Sequence, residues 1–179
     1  MRALIYDPQV TSVNRLPMRS SGRFCDSLDH AGLADPWQIS LDGTWKFQLL
    51  SSPDQVTAEL LTGPVSASDW NSIQVPGAWT LQGVNSALGD GLNAFESPHY
   101  TNVIMAFDTD PPAVPASNPT GVYRRKLSVP KDWQGRRFVL QVGAAESVLQ
   151  VFVNGEFVGG GTDSRLPSEF DLTRFLRAG

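Results

Sequence analysis

With 179 residues, 41% of them hydrophobic and 18% charged, and a formal net charge of −4, the chain has the composition of one ordinary globular domain and not of a disordered segment. Its basic residues gather only in the pairs Arg124-Arg125 and Arg136-Arg137, which argues against nucleic acid or an anionic membrane as a partner. Cys25 is the sole cysteine, so an internal disulfide is excluded and a reducing compartment fits.

The opening residues, Met1 to Asp7, carry too short an apolar run for a signal peptide, and no later run approaches membrane-spanning length. A cytoplasmic location is the expectation. Residues 1–40 show neither a helical nor a strand period and contain Pro8, Pro17 and Pro36, which predicts an extended N-terminal arm. From Leu41 the pattern changes. Asp42-Gly43 signals a turn, and Thr44-Trp45-Lys46-Phe47-Gln48-Leu49 alternates as a half-buried strand does. Asp54 to Leu61 is weakly helical, Ile73-Gln74-Val75 is a short strand ending at Pro76-Gly77, and Val122 to Val129 predicts another strand.

Arg137 to Val142 and Val148 to Val153 read as consecutive hairpin strands joined through Gly143 to Ser147. Asn154-Gly155 then supplies the preferred pair for a type I′ turn before Phe157-Val158 returns. Gly159-Gly160-Gly161-Thr162-Asp163-Ser164-Arg165-Leu166-Pro167-Ser168-Glu169-Phe170-Asp171-Leu172 has the make-up of an ordered functional loop. Leu172 to Ala178 predicts one helical turn closed by Gly179. Short strands with this density of proline and glycine indicate an all-β, antiparallel sandwich. His30 and His99 lack a second histidine or cysteine at ligand spacing, so a zinc site is not expected.

Several segments together resemble the N-terminal domain of glycoside hydrolase family 2 β-galactosidases of the long bacterial type. They are Asp7 to Pro17, Tyr100-Thr101-Asn102-Val103, Val114 to Tyr123, and Asp163 to Leu172, and they occur in family order. The resemblance implies a jelly-roll sandwich, galactose-binding-domain-like, over 41–179 with the arm at 1–40. It also implies that the sandwich is incomplete at the C-terminus, because family members continue past the position of Gly179. The chain is therefore expected to be truncated, with the catalytic barrel absent.

The activity implied for the full-length parent is hydrolysis of terminal β-D-galactose, as in lactose, with retention. Magnesium and sodium or potassium are implied for that parent, though no cofactor is expected for the fragment itself. The implied partners are the rest of its own polypeptide and three further copies in a homotetramer. Retention needs two carboxyl groups about 5–5.5 Å apart, one protonated and one ionised. The candidates here are Glu96, Glu146, Glu156, Asp163, Glu169 and Asp171, and none lies in the family's acid or nucleophile motif, so no catalytic residue is expected.

The resemblance assigns sugar contact to Asn102 and to Asp163, the latter also ligating an alkali cation. An amide suits sugar hydroxyls; the plainer readings are a turn asparagine and a loop-capping aspartate. Arg165 and Glu169 are expected as an ion pair or clamp for the loop. Two departures lie near Asn102: the long connection 84–99, and Ala106 where the family often has proline. Trp37, Trp45, Trp70, Trp79 and Trp133 sit beside apolar strand residues and are read as core. A β-glucuronidase or β-mannosidase of the same family, a stand-alone carbohydrate-binding module, and a structural remnant are the competing readings.

Overall fold

The computed structural model describes residues 2–19, 35–66, 69–83, 95–96, 102, 107 and 109–179. Its strands are β1 (Ser12–Val13), β2 (Gly43–Leu50), β3 (Asn71–Val75), β4 (Thr120–Arg124), β5 (Val139–Val142), β6 (Leu149–Val153), β7 (Glu156–Gly161) and β8 (Ser168–Asp171). Two short helices, α1 (Ala3–Tyr6) and α2 (Ala58–Thr62), accompany them. All pairings among the described residues are antiparallel. The residues form two compact units, one of Arg2–Pro8 with Leu41–Leu127, the other of Gln9–Ser40 with Ser128–Gly179.

In the first unit β2 is central, with β3 on one edge and β4 on the other. The alternation in its sequence turns Phe47 into the core, where it is fully buried against Phe95 at 4.7 Å and Tyr123 at 4.9 Å. Burial pushes the Tyr123 phenol up to about 12. Gly121 of β4 is required by close approach: a Cβ there would stand 2.7 Å from the Trp79 ring and 2.9 Å from Phe47. The strand expected from Val122 to Val129 ends instead at Arg124. Arg125 leaves the ladder and its Nη1 donates to the carbonyls of Leu41 and Asp42, clamping the turn that feeds β2.

The second unit departs further from the simple hairpin reading. β6 and β7 do pair across Asn154-Gly155, whose φ values of 52° and 83° are those of a type I′ turn. β5, however, pairs with β8 and not with β6, so the residues after Val142 carry the chain from one sheet to another. Val151, Val158, Phe170 and Leu172 form the core, with Phe138, Leu140 and Leu149 packed against it. Gly159-Gly160-Gly161, expected in a loop, is strand. A Cβ on Gly159 would fall 2.6 Å from the Val13 carbonyl oxygen and 2.8 Å from the Phe170 ring, so the bare backbone is what admits both neighbours.

The N-terminal arm contributes to this unit. Ser12 and Val13 pair with Gly161 and Gly160 of β7. At Asn14 the chain bends through φ 53° while Nδ2 donates to the Val158 carbonyl at 2.8 Å. Arg15 then lies opposite Phe170 of β8, and the Leu16 amide donates to the Glu169 carbonyl at 2.9 Å. One extended segment thus passes from β7 to β8. At the far end, Phe175 N donates to Leu172 O at 2.9 Å, forming the expected turn. Among the tryptophans Trp70 is buried, but Trp37 is 48% exposed and differs from the core reading. The Arg136 guanidinium covers its ring at 3.3 Å, which occupies a face that a sugar platform would need open.

Candidate functional site

The loop between β7 and β8 is shorter than the sequence suggested, Thr162 to Pro167, and its first residue is tied to the arm. The Thr162 amide and hydroxyl both donate to the Thr11 carbonyl, at 3.1 and 3.3 Å. Within the loop Asp163 Oδ1 accepts from the amides of Arg165 at 3.0 Å and Leu166 at 3.2 Å, an Asx turn. The plainer reading of Asp163, a loop-capping aspartate, therefore describes what one of its oxygens does.

Glu169 is a clamp, but not with Arg165. Its carboxylate is nearly buried and takes a fork from Arg19, Nε to Oε2 at 3.0 Å and Nη2 to Oε1 at 2.8 Å. Gln141 Nε2 adds a third bond at 3.1 Å. Arg165 points its charge from an exposed position, and the ion pair expected with Glu169 is replaced by the pair with Arg19. β8 forces this choice: residues alternate across a strand, so Glu169 faces away from Phe170 and toward the arm. Neither Arg19 nor Gln141 announces itself in the sequence, because Arg19 stands in an aperiodic polar stretch.

Asn102 belongs to the other unit and is exposed. Residues 101 and 103–106 beside it lie outside the described residues, as do Cys25, His30, His99 and most of the connection 84–99. Of that connection Phe95 and Glu96 are described. The Phe95 amide donates to Gln82 O at 2.8 Å, and Glu96 Oε2 accepts from Trp79 Nε1 at 2.6 Å.

The remaining carboxylates are placed for structure. Hydrogen bonds from Thr173, then Arg137 at 2.7 Å, hold Asp171 down at about 2, the reverse of what a proton-donating acid needs at neutral pH. Glu146 and Glu156 are exposed. Among the described residues no three His, Cys, Asp or Glu side chains come together as a metal cluster, and no helix is long and apolar enough to cross a membrane.

Antiparallel strands with few helices among the described residues define an all-β domain of the sandwich class. Comparison with known proteins makes this specific. The family model "Glycosyl hydrolases family 2, sugar binding domain" matches residues 39–179, and the chain belongs to that family. It is 42% identical over 95% of its length to a β-galactosidase of Aeromonas hydrophila, covering 16% of that protein. It is 36% identical over 97% of its length to a β-galactosidase of Photobacterium profundum, again covering 16%. The chain thus spans about one-sixth of these curated relatives. Among solved structures, Faecalibacterium prausnitzii β-glucuronidase aligns with a TM-score of 0.54 at 26% identity, over 79% of this chain and 19% of that one.

Proposed function

We propose that this chain is the N-terminal sugar-binding part of a β-galactosidase, a retaining enzyme that releases terminal non-reducing β-D-galactose from substrates such as lactose. The observation that carries the reading is the 42% identity to the Aeromonas hydrophila β-galactosidase along nearly the whole chain. The parent is taken to be cytoplasmic and homotetrameric and to use magnesium with sodium or potassium. The chain's own share is taken to be binding and orientation, with Glu169, Asp171 and Asp163 already engaged in its own bonding. The likeness to β-glucuronidases at 26–27% identity favours the sister activity as the second reading.

Sugar contact is assigned to Asn102, an exposed amide able to donate and accept at hydroxyls. For Asp163 the two amides held by Oδ1 support the loop role, and contact with galactose or an alkali cation falls to Oδ2 alone. Variants of the parent enzyme separate these parts. Asn102→Ala is expected to lower kcat/KM on an aryl β-galactoside about tenfold, near 1.4 kcal/mol. Wild-type kinetics in that variant would remove Asn102 from the site. Asp163→Asn keeps an oxygen for the loop amides but removes the charge that Oδ2 offers to sugar and cation, so kcat/KM is expected to fall about tenfold with weaker sodium dependence, whereas Asp163→Ala also loses about 1 kcal/mol of loop stability. Wild-type kinetics in Asp163→Asn would leave Asp163 with the loop role alone.

A further inference from the structure

The arm that joins β7 to β8 carries a charged group whose bonding is incomplete. Arg15 is pinned by its backbone: it pairs with Phe170, and its neighbours Asn14 and Leu16 are bonded to Val158 and Glu169. Its Nη1 is shut off from water and has no hydrogen-bond partner. Gly161 of β7 offers it no side chain; a Cβ there would stand 3.4 Å from Nη1. Glu169, the buried carboxylate among the described residues, is already committed to Arg19 and Gln141.

A guanidinium nitrogen removed from water without an acceptor costs several kcal/mol, and native proteins rarely leave one so. Arg19, four residues on, shows how the same arm meets this demand where an acid is at hand. We propose that Arg15 is the receptor for a carboxylate of the parent polypeptide that lies outside this chain, an Asp or Glu side chain taken by the guanidinium fork. A planar fork matches a carboxylate with two parallel bonds, which favours an acidic side chain over a single carbonyl. Arg15 keeps part of its surface open, which is the side from which such a group arrives. The inference rests on the reading of this chain as one domain of a longer glycosidase. It assigns the arm a second task, fastening the sandwich to the remainder of the molecule.

The test uses the sign of one substitution in two settings. Arg15→Met removes a guanidinium nitrogen that is shut off from water without an acceptor in the 179-residue chain, so Tm there is expected to hold or rise. In the parent enzyme the same change strands a carboxylate, and Tm is expected to fall by several degrees while Arg15→Lys recovers part of the loss. Sedimentation of the parent variants is expected to show an unchanged oligomer. A fall of equal size in both settings, or no change in the parent, overturns the proposal. A loss accompanied by dissociation of subunits also overturns it, since the carboxylate would then come from a neighbouring copy. Galactosidase assays on the same variants report separately on the enzyme reading, because sugar contact is assigned to Asn102 and Asp163 and not to Arg15.

Discussion

Phe170→Ala is expected to destabilise the chain by about 3–5 kcal/mol in urea denaturation, lowering Tm by roughly 10 °C or more. Phe170 is fully buried on β8, its ring covers the bare backbone of Gly159 on β7, and its backbone meets Arg15 of the arm. Truncation therefore opens a cavity where two strands and the arm converge. Gly159→Ala approaches the same junction from the other side. Its single added methyl would sit 2.6 Å from the Val13 carbonyl, and the cost is expected near 1–3 kcal/mol as β1 is pushed off β7. Phe152→Ala, whose ring is only partly buried against Phe157, serves as the comparison and is expected to cost less. A Phe170→Ala loss below about 1 kcal/mol would show that the junction is not the core of its unit.

The purified 179-residue chain is expected to hydrolyse no chromogenic β-galactoside above the uncatalysed background at any pH from 4 to 9. A retaining mechanism needs one carboxyl kept protonated and a second ionised close by. Here Glu169 is paired with Arg19 and accepts from Gln141, Asp171 is held at about 2, Asp163 caps its loop, and Glu96 accepts from Trp79. Glu146 and Glu156 are both exposed. Turnover that follows the protein through successive columns would mean that a carboxylate pair had been overlooked.

How far the sequence spoke depended on whether the deciding contact was local. β2 was legible because Trp45, Phe47 and Leu49 alternate with polar residues, and the β6–β7 hairpin because Asn154-Gly155 fixes its own turn type. The antiparallel all-β class followed from these. The last three residues of β7 read as loop because glycines carry no strand propensity, although the bare backbone of Gly159 is what admits Val13 and Phe170. The pairing of β5 with β8 was hidden because no turn joins them. The Glu169 clamp was assigned to the wrong arginine for a similar reason. Arg165 is four residues away, whereas the true partner, Arg19, is separated by 150 positions and stands in a segment without periodicity. At Asp163 the loop-capping role was legible from residue type alone, and its two amide bonds are local.

The identity of the sugar is the central claim, and one kinetic comparison addresses it most directly. The parent enzyme, assayed on matched aryl β-galactoside and aryl β-glucuronide, is expected to favour the galactoside in kcat/KM by at least about a hundredfold, or near 2.7 kcal/mol. A site built to bond a galactose hydroxyl leaves polar groups unpaired when a carboxylate replaces part of the sugar, and that penalty sets the ratio. A preference for the glucuronide would contradict the account and place the parent with the β-glucuronidases that its fold also resembles.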